Sequence, residues 1–194
     1  GATHVVVPTH WQEDLDGGFL ASFKGHLHRL DGLHGHVHLA PHRRPSKVSN
    51  PPRIVVRRLK GDGIHDGDEL VPFPDDALDG LSTTVADEDE YEGSPWELDR
   101  ELAAHDGVIT QSVTLASEAA LLGTPTLLIS DAKRGFLDRL EIEGAPLFRW
   151  RGQNDAVEWG AVHAQFLAGL HLTDALESAE WPDAKRQLAD LFNQ

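Results

Sequence analysis

Between residues 53 and 150, short apolar runs alternate with stretches whose apolar residues recur every three or four positions. RIVVRRL (53–59), STTVADE (82–88), GVIT (107–110), TLLI (126–129) and APLFRW (145–150) are β-branched or apolar and bounded by Gly, Asp or Pro, so each predicts a strand. SPWELDRELAAHD (94–106) predicts a helix, with Ser94 as N-cap, Pro95 at the first helical position and Glu97 three residues after the cap. From Val113 onward, Leu115, Ala119 and Leu122 fall at helical spacing until Gly123 ends the run and Pro125 blocks its continuation. FLDRLEIEG predicts a further helix. So does NDAVEWGAVHAQFLAGL (154–170), with Asn154 as cap and Val157, Ala161, Ala164 and Leu167 on one buried stripe. DDALDGL (75–81) gives one short helix at most, and GDGIHDGDE (61–69) a Gly/Asp loop. Strands joined through helices pair in parallel and cross over right-handedly. The pattern therefore predicts a three-layer α/β domain with a mostly parallel sheet of about five strands and no internal repeat.

The flanks read differently. THVVVP (3–8) predicts a strand stopped by a proline, residues 9–50 read as irregular, and WQEDLDGG within them suits a turn or short helix. Six of the twelve histidines fall between His26 and His42. PHRRPSKVSNPP reads as a linker with little to bury. The chain thus divides into a remnant strand and His-rich interdomain linker (1–50), the α/β domain (51–170) and a terminal helical segment (171–194) carrying LTDALESAEW and DAKRQLADLF. On an extended strand, His34, His36 and His38 would share one face, a ligand-like spacing for zinc or nickel, but only Asp31 offers a carboxylate there. The same residues suit an exposed or domain-edge loop, and no metal site is assigned. The strand at Val5 to Val7, with Trp11, Phe19 and Phe23, has no core of its own. It is expected to pack on a second copy, a separate first domain or the edge of the sheet.

Composition closes several classes of function. With no cysteine there is no disulfide, thiolate chemistry or cysteine-ligated metal. No run reaches the roughly 18 apolar residues of a membrane span and the first residues given lack the charged and apolar regions of a secretion signal, so a cytoplasmic location is expected. A formal net charge of -15 opposes binding to nucleic acid or to an anionic membrane, while leaving a small phosphorylated ligand open. The acidic excess and the balance of 12 Arg to 5 Lys resemble proteins of salt-loving microbes, the alternative being an ordinary acidic cytosolic protein. The chain starts at Gly1 and holds no methionine, which fits initiator removal or a piece of a longer chain.

Two stretches could carry chemistry. Thr110-Gln111-Ser112 joins a strand to a helix whose first amides and dipole would stabilise an anion such as a diphosphate; Ser112 and Thr114 add hydroxyls and Glu118 follows two turns in. The same residues also suit a plain cap and a solvated glutamate. In RRLKGDGIHDG (57–67), Arg57, Arg58, Lys60, His65 and Asp66 follow a strand end, and a parallel sheet brings all its carboxyl ends to one rim. Asp62 and Asp66 suit equally a turn bonded to local amides.

HVVVP, LDGLHGHVHLA, RIVVRRLKGDGIHDG, STTVADE and HDGVITQSVTLASEAALLGTP, in that order over roughly residues 3 to 150, resemble the later half of the archaeal domain-of-unknown-function 354 family, which is similar to UDP-N-acetylglucosamine 2-epimerases and GT-B glycosyltransferases. The resemblance implies a Rossmann-like carboxyl-terminal domain that grips a sugar nucleotide across a cleft from a first, separate or missing, Rossmann-like domain. It places Ser112 at the diphosphate and Glu118 at the ribose; Thr110, Gln111 and Thr114 join them as substrate-binding candidates from the reading of the turn. Arg57 and Arg58 become the basic strand end, with Lys60 following in the substrate-binding set read from the residues, and His65 with Asp66 the catalytic pair; no cofactor is implied. Two departures stand out: Val113 and Thr114 occupy positions where the family pattern has two glycines, and His34-Gly35 replaces a Lys-Glu pair. In two-domain enzymes of this kind the acceptor site and much of the acid-base machinery lie on the first domain, so the resemblance implies that a lone second domain can bind a nucleotide without turning it over. The competing class is a structural or partner-binding module that keeps the fold without the ligand.

Overall fold

The computed structural model describes residues 2–9, 11, 17–42, 44–60, 70–87, 91, 93–152, 157–171 and 182–193, which form two parallel sheets of unequal size. In the smaller, β1 (His4–Pro8) and β2 (His26–Leu30), connected by way of the four-residue helix α1 (Phe19–Ser22), pair from His4 opposite His26 to Pro8 opposite Leu30. The single-turn helix α2 (Gly35–His38) comes next. The larger sheet contains β3 (Arg53–Arg57), β4 (Ser82–Val85), β5 (Gly107–Thr110), β6 (Thr126–Ile129) and β7 (Leu147–Trp150) in the order β4-β3-β5-β6-β7, every neighbouring pair parallel. Around these strands lie α3 (Leu98–Ala104), α4 (Val113–Leu121), α5 (Gly135–Ile142) and α6 (Trp159–Gly169); α7 (Ala184–Phe192) ends the described chain. This is a Rossmann-like α/β fold.

The β-strand period of two sends alternate side chains to opposite layers. Ile54, Val56, Ile109, Leu127, Ile129 and Trp150 pack with Val162, Phe166 and Leu170 on one face. On the other, Val55 and Val108 meet Leu102, Leu115 and Ala119, while Leu128 meets Ala116, Ala120, Leu137 and Leu140. The small residues of α4 let it lie close against the sheet. It stops as its sequence predicts: Gly123 takes φ 76, its amide N–H donates to the Ala120 carbonyl, and Thr124 N–H reaches back to Ala119.

Several expectations are corrected. The irregular reading of residues 9–50 misses β2 and α2, because His and Arg in HLHRL mask the strand's apolar alternation. Residues 35–38 are helical, so His34, His36 and His38 do not line one face of an extended strand. Ser94 makes no side-chain cap bond; a 3-10 turn, Pro95–Glu97, precedes α3 instead. The connection after His42 is also pinned. Buried Asp106 accepts the amide N–H groups of Ser49 at 3.2 Å and Arg53 at 2.7 Å, and Arg44 donates to the carbonyls of Gly123 and Asp106. Burial lowers the pKa of Arg44 against the opposing pull of Asp106. Residues 75–80 form turns. Asn154, the 61–69 loop and LTDALESAEW lie outside the described residues. No helix among the described residues is long and apolar enough to cross a membrane.

Candidate functional site

The strand order dictates where a ligand fits. From β3 the chain moves outward to β4, then returns past β3 to β5 and continues the other way, so connections leave the carboxyl ends of β3 and β5 in opposite directions. Such a switch point opens a crevice. A cavity of about 860 Å³ lies there, bounded by Arg57 at the end of β3, the Gln111–Leu115 stretch and Glu118, and, after β6, Ser130, Asp131, Ala132, Arg134 and Phe136. The amino ends of α4 and α5 both border it. Two guanidinium groups, Arg57 and Arg134, balance two carboxylates, Glu118 and Asp131.

The turn after β5 is rigid for identifiable reasons. Thr110 is fully buried; its hydroxyl donates to the Arg57 carbonyl at 3.0 Å and accepts Ser112 N–H at 2.9 Å, while Gln111 N–H donates to the same carbonyl at 3.0 Å. Gln111 ties together two points distant in sequence, accepting Leu59 N–H at 3.0 Å and donating to the Val71 carbonyl at 2.8 Å. Ser112 caps α4, its Oγ accepting Leu115 N–H at 3.4 Å. Val113 and Thr114 stand in the first turn, where no intrahelical acceptor exists for their amides. The arrangement can receive an anion at the helix end and a polyol at Glu118.

The sequence-predicted residues divide by position. Arg57, Gln111, Ser112, Thr114 and Glu118 line the cavity together; Thr110 sits beneath it as a brace. Arg58 is turned to Asp87, donating from Nε at 3.0 Å and Nη2 at 2.7 Å, and so straps β3 to the end of β4. Lys60 is exposed and is not part of the lining. His65 and Asp66 lie outside the described residues. Sequence reasoning missed Ser130, Asp131, Arg134 and Phe136. Their only signal was position, directly after an apolar strand whose carboxyl end shares the rim.

Four of the predicted linker histidines have specific partners. His36 Nδ1 accepts Leu33 N–H at 2.8 Å, His38 Nε2 lies 2.9 Å from Glu118 Oε1, His42 Nε2 lies 2.7 Å from Asp99 Oδ2, and His28 Nε2 lies 3.0 Å from His4 Nδ1. Among the described residues, no group of three or more His, Asp or Glu side chains is arranged to hold a metal ion.

No family model matches the chain, and no curated protein matches it. The motif resemblance to the 354 family therefore has no family match behind it. Among solved structures the chain is similar to the crystal structure of TarM, at 13% identity and a TM-score of 0.49, over 99% of this chain and 44% of that one. The chain thus spans less than half the length of that structure. A likeness of this size carries no argument about residues or ligand; the α/β assignment rests on the sheet itself.

Proposed function

We propose that residues 51–170 bind a sugar nucleotide, of the UDP-sugar kind, in the cavity at the β3/β5 switch point. The supporting observation is the meeting there of the α4 amino end, Arg57, Arg134 and Glu118 around about 860 Å³ of space. In this reading Ser112 and the first-turn amides of α4 hold the diphosphate, assisted by Thr114 and Arg57, and Glu118 accepts the ribose hydroxyls. With Arg58 engaged by Asp87, the strand-end cation is Arg57. His65 and Asp66 are the proposed catalytic pair; on either side of them in sequence, Leu59 and Val71 are both held by Gln111. Turnover, glycosyltransferase-like or epimerase-like, then requires a first domain on another chain or segment to supply the acceptor side.

The test is calorimetric titration with uridine diphosphate in high salt. Weak binding is expected, and Ser112→Ala combined with Glu118→Ala should abolish it, at about 1 to 3 kcal/mol for each lost hydrogen bond to a charged group. Absence of heat at millimolar ligand overturns the reading. It would favour a non-catalytic module, the alternative motivated by the Val113 and Thr114 side chains that line the cavity where bare backbone would let a phosphate approach.

A further inference from the structure

The His-rich segment is packed onto the helix that borders the cavity. Leu33, just before α2, buries itself with Ala116 and Ala120 of α4; Leu39, just after it, joins Leu115, Ala119 and Leu122. Between them the backbone at Gly35 lies so close to α4 that a Cβ there would collide with Leu121 Cδ1. His36 closes the turn by accepting Leu33 N–H. Anchored on both sides, α2 carries His38 over Glu118, with Nε2 2.9 Å from Oε1 and the His34 ring 4.9 Å from the His38 ring.

We infer that His38 is a positioning residue: it holds the Glu118 carboxylate in the orientation that recognises the ribose diol and so lets the site prefer ribonucleotides to 2′-deoxyribonucleotides. This rests on the nucleotide reading of the cavity. Glutamate has three side-chain rotors and loses much freedom when fixed, so a carboxylate already tethered through one oxygen presents the other without that loss. The untethered oxygen retains lone pairs for sugar hydroxyls. A site built around a hydroxyl discriminates against a ligand that lacks it, because the buried acceptor is left unpaired. Glu118 is half-buried, its side chain 16% exposed against 41% for His38, so an acceptor left without its hydroxyl there is only partly compensated by water.

The test compares uridine diphosphate with 2′-deoxyuridine diphosphate by calorimetry on the full chain. Wild type should bind the ribonucleotide about tenfold or more tightly. His38→Ala should bring the two affinities within about twofold while His38→Gln, whose amide N–H reaches a similar point, restores the preference. Ser112→Ala should weaken both ligands alike. If wild type binds neither ligand, the nucleotide reading fails and this inference with it. If wild type discriminates and His38→Ala discriminates equally well, the inference alone is overturned. Equal binding of both ligands by wild type, or a preference that His38→Gln fails to restore, also overturns it.

Discussion

The two parallel sheets use the same backbone pairing and differ in what covers them. In β5 and β6 every position is buried, whereas β1 and β2 bury Val7 and Leu30 alone and leave Val6 and Leu27 open. Helices on both faces protect the larger sheet; the smaller has α7 against β2 and α2, fastened where Gln187 exchanges hydrogen bonds with the Asp31 backbone at 2.9 and 3.2 Å. Parallel pairing contributes little by itself, and sheets of this kind persist when both faces are buried. Two strands alone are marginal in water. The difference teaches that the larger sheet is the independent unit and the smaller one borrows stability from it.

The largest effect that would sharpen this contrast is in the core of the large sheet. Phe166, fully buried on α6, stands edge-on to Phe148 with ring centres 6.0 Å apart and fills the space beside Gly107. Phe166→Ala should cost about 3 to 5 kcal/mol and lower the denaturant midpoint of the whole protein. Next comes Val7→Ala in the small sheet. Two buried carbons at roughly 0.8 kcal/mol each give a loss of about 1 to 2 kcal/mol. Amide hydrogen exchange should quicken through β1 and β2 while β5 and β6 keep their protection, the mark of local opening. Equal costs for the two substitutions, or exchange that rises in β5 and β6 along with β1, would break the contrast.

The same contrast governs what could be read from the sequence. β3, β5 and β6 announce themselves because strands buried on both faces are continuous apolar runs, and the boundaries of α4 follow from Ser112, Gly123 and Pro125. β2 does not, since a half-exposed strand of His, Leu and Arg carries no core signal. The helical turn at GHVH depends on Gly35 fitting against Leu121, a contact 86 residues away that no local pattern encodes. In the cavity, Ser112, Thr114 and Glu118 were legible from strand-turn-helix spacing. The dual grip of Gln111 on Leu59 and Val71, and the capture of Arg58 by Asp87, depend on which strands become neighbours.

The smallest effect at neutral pH gives a clean probe of whether the two regions act separately. Tyr91 is the only tyrosine in the chain. It packs against the cluster formed by Val55, Leu102 and Leu115, and its hydroxyl donates to Glu101 Oε2 at 2.6 Å. Burial, then the bond to Glu101, then the negative charges of Glu101 and Glu97 push its pKa up to about 12 from the usual 10.0. The folded state therefore favours the neutral phenol. This contribution to stability is complete below pH of about 10 and is lost as pH rises through about 12. Ultraviolet titration of phenolate should show one transition near that upper value, and Glu101→Gln should move it down by removing a carboxylate. Val7→Ala should leave it in place, because loosening the small sheet does not hydrate the face where Tyr91 lies. A titration that Val7→Ala shifts toward 10 would mean that the small sheet supports the packing of α3 and α4, and that the two sheets open as one.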